Sequence, residues 1–133
     1  MVKHKIYQVI FTGLIIFFMS LISGGDAVAQ EQSRVVRIAK LLIDSAKLED
    51  YKKALKEHAE TAVRVEPGVL TLYAVYEKDQ PTHVTVFEIY ASAAAYQAHL
   101  LTPHFIKYKT GTKDMVKSLE LVETVPIALE SKR

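Results

Sequence analysis

From Arg34 to Ile43 the chain is rich in Val and Ile and alternates imperfectly between apolar and polar positions, which predicts a β-strand. Asp44 and Ser45 follow, the carboxylate and hydroxyl that hold the free amides of a helix start. From Lys47 to about Val65 the period changes. Leu48, Tyr51, Leu55, Ala59 and Ala62 recur at threes and fours with Lys and Glu between them, so an amphipathic helix is expected. Glu66-Pro67-Gly68 ends it, because Pro disfavours helix in the residue before it and Gly tolerates the turn. Val69 to Glu77 reads as a second strand and His83 to Tyr90 as a third, joined as a hairpin by the polar turn Lys78-Asp79-Gln80-Pro81. Ser92 is placed to cap a second helix through Leu100. Pro103 either breaks that helix or opens a new one, and the stretch to Met115 reads as helical although Gly111 weakens it. Leu119 to Val125 is the last expected strand, and Pro126 to Arg133 is a tail.

The order β-α-β-β-α-β predicts an α+β domain of ferredoxin-like arrangement, with helices on one sheet face. The other face of a monomer would meet water and show polar alternation. On the third strand Val84, Val86, Glu88 and Tyr90 fall on one side, and Thr85, Phe87 and Ile89 on the other. Both sides are largely apolar. A second copy packed sheet to sheet would cover the surplus, so a homodimer is expected.

The start of the chain has a different pattern. Lys3 and Lys5 precede an uncharged stretch from Ile6 to Ile22, and Ala27-Val28-Ala29 is a small-residue triplet of the kind signal peptidase admits. Residues 1–29 therefore read as a secretory signal cut after Ala29, with an exported domain over 30–133; an uncleaved anchor is the alternative. The formal charge is +2, and the charges are interspersed, which gives no footprint for a nucleic-acid partner. With Cys 0 there is no disulfide, no thiolate nucleophile and no thiolate ligand. The exported part is short, so a pocket completed by oligomerisation is expected.

Several runs are more specific. Val86-Phe87-Glu88-Ile89-Tyr90, then Ala95-Tyr96-Gln97-Ala98-His99-Leu100, then Thr102-Pro103-His104-Phe105 resemble the signature of the antibiotic biosynthesis monooxygenase family. The segment Arg64-Val65-Glu66-Pro67-Gly68-Val69-Leu70 resembles it too, and the resemblance covers Arg34 to Val125. It implies a dimeric α+β barrel with a pocket between sheet and helices in each protomer. Quinol and polyketide monooxygenases that use oxygen without metal or flavin, haem-degrading relatives and an isomerase share this family. The activity implied first is a cofactor-independent monooxygenase of a small aromatic or quinol, with molecular oxygen as co-substrate. A non-catalytic hydrophobic-ligand-binding domain or an isomerase on the same scaffold is the alternative, since fold alone does not set the reaction.

Such chemistry needs a base, donors for a phenolate oxygen and a dry aromatic pocket. The resemblance puts His99 and His104 at the family's recurring positions, and histidine titrates near the working pH. Five residues apart, they would stand about 140° around one helix, but Pro103 intervenes and allows both to turn toward one cavity. Packing on the helix face is the other reading for both. Glu88, a lone carboxylate on an apolar strand face, is a candidate to orient a histidine or accept a substrate hydroxyl, or else a structural partner. Tyr73, Tyr90, Phe105 and Tyr108 are candidates for the pocket wall, with core packing as the alternative. His58 lies among Lys and Glu and is expected in solvent, and His83 is assigned nothing. No spacing of His and carboxylate predicts a metal site, although one His would suffice to hold a haem.

Overall fold

The computed structural model describes residues 33–132, so the expected signal segment lies outside the described residues. The strands are β1 (Val35–Ile43), β2 (Val69–Tyr76), β3 (His83–Tyr90) and β4 (Val116–Thr124), paired antiparallel in the order β2-β3-β1-β4. The helices are α1 (Leu48–Val65), α2 (Ala93–Leu100) and α3 (Pro103–Gly111). This is the expected ferredoxin-like α+β order, with the second helical stretch divided in two.

Local chemistry accounts for the boundaries. The Asp44 side chain accepts from the Ala46 amide at 2.9 Å and caps a short turn of helix, Ser45–Lys47, that leads into α1. Ser92 caps α2 through the Ala95 amide, and Thr102 caps α3 through the Phe105 amide with Pro103 in its first turn. Pro103 thus opens a helix. The expected run to Met115 stops earlier, at Gly111: the amide and hydroxyl of Thr112 both bond the Tyr108 carbonyl, and the Met115 amide then turns back onto the Thr112 carbonyl. The Asp44 amide then bonds the Met115 carbonyl, which carries the chain back to the sheet. Pairing therefore resumes at Val116, three residues before the expected start of β4, through an irregular register at Leu42 and Ile43.

One sheet face and α1 form the core. Ala39, Leu41 and Ile43 of β1, Leu72 of β2, and Val84, Val86 and Tyr90 of β3 pack against Tyr51, Leu55 and Ala62. The turn after α1 lies close to α2: a Cβ on Gly68 would sit 2.5 Å from the Ala95 Cβ. Only glycine fits that approach, which explains the third position of Glu66-Pro67-Gly68. On the other sheet face, Tyr73 pairs in register with Phe87, which pairs with Ile38, which pairs with Val122. Tyr73 and Val75 there are exposed, at 67% and 61%.

Candidate functional site

Between the helices and the sheet lies a small cavity of ≈ 80 Å³ that opens to solvent. Leu41, Leu72 and Val86 make its floor, with Leu55, Leu100 and Phe105 along the helices and Leu119 and Leu121 of the edge strand at one side. Its polar groups are Arg37, His58, Glu88, Tyr90, Tyr96, Tyr108 and Lys109. Glu88, Tyr90, Phe105 and Tyr108 are thus among its lining residues. Tyr73 is not. Alternation on β2 turns it to the opposite face, away from the cavity that Leu72 lines.

His58 is the main correction. It is 5% exposed and lines the cavity, rather than lying in solvent. Tyr51, Leu55, His58 and Ala62 form the buried stripe of α1, spaced by four, three and four. That spacing was legible, but Lys and Glu on either side of His58 concealed it. The ring stacks on Tyr108 with centroids 4.7 Å apart and planes at 7°, and lies 5.2 Å from His99 and 5.7 Å from His104. Its Nδ1 is buried without a hydrogen-bond partner among the described residues. Burial, then the neighbouring His99 and His104, push its pKa down to about 4, while the Glu66 carboxylate acts the other way. His58 is therefore neutral at neutral pH.

His99 and His104 stand behind this wall rather than in it. His99 is 1% exposed and packs against His58, Tyr90 and Phe105. Its Nδ1 lies 2.8 Å from Glu66 Oε1, and His104 Nε2 lies 2.5 Å from the same oxygen. A carboxylate only accepts, so each of these ring nitrogens carries its proton and donates. Thr102 Oγ1 donates to the His99 carbonyl and lies 3.2 Å from His104 Nε2, holding that ring as well. Glu66, at the C-terminal cap of α1, entered the sequence reading as a helix stop and within a family-like segment, with no site role.

The ligand atoms of Glu66, His99 and His104 lie within 4.8 Å of one another, a grouping that could hold a metal ion. Sequence spacing hid it, since Glu66 is 33 residues before His99. As packed, the nitrogen–oxygen separations of 2.5 and 2.8 Å are those of hydrogen bonds. Two ligands about 2.0–2.1 Å from one tetrahedral ion stand roughly 3.3 Å apart. As packed, the cluster is a hydrogen-bonded support behind the cavity wall, made of the same three donors that an ion could take.

The remaining cavity groups are tuned by burial. It raises the Glu88 pKa, with the Tyr90 hydroxyl and the Arg37 and Lys109 charges acting in the opposite direction. Burial also pushes the Tyr90 and Tyr108 hydroxyls upward, so both remain donors. Tyr108 shares a 2.7 Å hydrogen bond with Tyr51. The arrangement combines a neutral imidazole, phenolic donors and apolar walls.

Residues 34–111 match the family model described as antibiotic biosynthesis monooxygenase. A solved structure from Bacteroides thetaiotaomicron VPI-5482, provisionally assigned as an antibiotic biosynthesis monooxygenase, is 52% identical with a TM-score of 0.74, covering 75% of this chain and 97% of that one. A provisionally assigned monooxygenase from Lactobacillus acidophilus NCFM is 31% identical with a TM-score of 0.69, covering 72% of this chain and 45% of that one. A Nitrosomonas europaea protein at 23% identity and a TM-score of 0.67 shares the fold, over 71% of this chain and 90% of that one. No curated protein matches. The family match spans more than half the chain, and the chain belongs to the antibiotic biosynthesis monooxygenase family.

Proposed function

We propose that this protein is a monooxygenase that oxidises a small phenol or hydroquinone with molecular oxygen and needs no resident cofactor. The observation that carries the reading is His58: a buried imidazole, neutral at neutral pH, with its face on Tyr108 and its edge on an apolar cavity. A substrate hydroxyl there gives its proton to His58, and the imidazolium forms within the field of the Glu66 carboxylate. The substrate anion, held by Tyr90 or Tyr108, passes one electron to oxygen, and the radical pair joins at a ring carbon. The peroxide O–O bond then breaks, leaving one oxygen on the ring and the other in water. A hydroquinone plus oxygen gives a hydroxyquinone plus water, so no external reductant is required. Glu88 is the second proton acceptor in the cavity, and His99 and His104 act through His58 by fixing its position.

The same reading includes a homodimer. Ile38, Phe87, Tyr73 and Val75 form an apolar face that a second sheet would cover. Sedimentation of the purified 30–133 domain should give a dimer, and a monomer at micromolar concentration would remove that part. The reaction is tested by oxygen uptake of the metal-stripped domain with a panel of hydroquinones, and uptake is expected for at least one. Silence across the panel together with ligand-induced stabilisation would replace the enzyme with a binding role.

A further inference from the structure

The cavity holds a cation to which the proton chemistry of His58 gives no task. Arg37 lies on the helix-facing side of β1 and is 8% exposed, and its guanidinium carbon sits 4.4 Å from the centroid of the Tyr96 ring. Its Nε is buried without a hydrogen-bond partner among the described residues. In register, Arg37 faces Glu88 on β3 and Glu123 on β4. Among the described residues neither carboxylate closes an ion pair with it. Lys109 adds a second cation to the same lining. A buried guanidinium held by a ring face alone, with no ion pair, is favoured to take a ligand's negative charge.

We propose that Arg37 is the anion anchor of this cavity, and that the ligand is a small aromatic acid whose carboxylate meets Arg37 while its ring lies among Leu55, Leu72, Phe105 and Leu121. The planar guanidinium, already braced on Tyr96, offers parallel N–H donors that match a carboxylate's two oxygens. His58, in the same lining, is the group that would take the proton of a hydroxyl on that ring. This deepens the proposed function and rests on that cavity being the substrate site. It changes the substrate class from a neutral hydroquinone to a hydroxybenzoate-like acid.

The test is calorimetric titration of the purified domain with benzoate, salicylate and gentisate, each beside its neutral amide. An acid should bind about tenfold or more tightly than its amide, a typical return on a charge-assisted pair. Arg37→Gln should erase that preference and Arg37→Lys should keep part of it, with thermal unfolding showing that each variant is folded. Equal binding of acids and amides by the unaltered protein would overturn the proposal, as would binding of no acid, and neither result depends on a variant folding. A preference that survives in folded Arg37→Gln would also overturn it. Tight acid binding without oxygen uptake would leave Arg37 in its role and remove the oxygenase instead.

Discussion

Glu66→Ala should lower the stability of the domain by about 3–5 kcal/mol, the cost of taking one partner out of a buried charged network. The Glu66 carboxylate is the common acceptor for His99 Nδ1 and His104 Nε2, and His99 is 1% exposed, so water cannot replace the lost partner there. Removing it also frees Thr102 and the start of α3 from one of their fixed contacts, since His104 Nε2 is shared with Thr102 Oγ1. In a domain of this size the loss corresponds to a fall in Tm of roughly 12 °C or more. Glu66→Gln separates charge from geometry. Its amide oxygen can still accept from both rings, so a loss of only about 1–2 kcal/mol is expected. Urea unfolding of the three proteins at neutral pH measures the difference. A Glu66→Ala variant within about 0.5 kcal/mol of the parent would show that the three side chains are not joined as described.

How this cluster arises shows which parts of the molecule can be read from sequence. The strands and α1 carry their period in their own residues, so the βαββαβ order follows from local pattern, while the two largely apolar sides of β3 leave its helix-facing side open. Glu88, Tyr90, Phe105 and Tyr108 reach the cavity because strand alternation and the short turn at Pro103 settle where they face. Tyr73 failed for a related reason. With apolar residues on both faces of β2 and an irregular register between Val69 and Thr71, alternation alone does not say which face meets the helices. Glu66, His99 and His104 come together only when α1, α2 and α3 pack, and no spacing along the chain encodes that. Arg37 was hidden in the same way. A lone arginine in a Val-rich strand reads as polar alternation until the helices seal it against Tyr96. The end of α3 and the start of β4 depended on Thr112 and Met115, whose bonds to Tyr108 and Asp44 are tertiary or cap contacts.

His58→Ala should reduce kcat/KM for oxygen-dependent turnover by about 10²–10⁴, the usual contribution of a positioned base. The variant leaves the Glu66 hydrogen bonds to His99 and His104 in place, so a loss of activity without unfolding would locate the base in the cavity rather than behind it. The pH profile adds a readout that a packing role would not move. His58 has a pKa of about 4 against an ordinary 6.5, so its ring is unprotonated at neutral pH and still largely so at pH 5. The acid limb should then fall as pH drops through about 4, not through 6.5. Stability follows with a fixed sign. Below pH 6.5 the unfolded chain binds a proton at this position while the folded chain does not, so folding weakens as pH falls from 6.5 toward 4 and levels off below that. With solvent screening the change is on the order of 1–2 kcal/mol between neutral pH and pH 5. Glu88, whose pKa is raised by burial, works in the opposite sense: its protonated folded form is favoured at low pH and that contribution fades as pH rises past the ordinary carboxylate range. Comparing urea midpoints of the parent and His58→Ala at both pH values isolates the histidine, because Glu88 is common to the two. An acid limb at 6.5, or full oxygen uptake by the alanine variant, would remove His58 from the proton transfer and return the role to Glu88, the other carboxylate or imidazole group that the cavity contains.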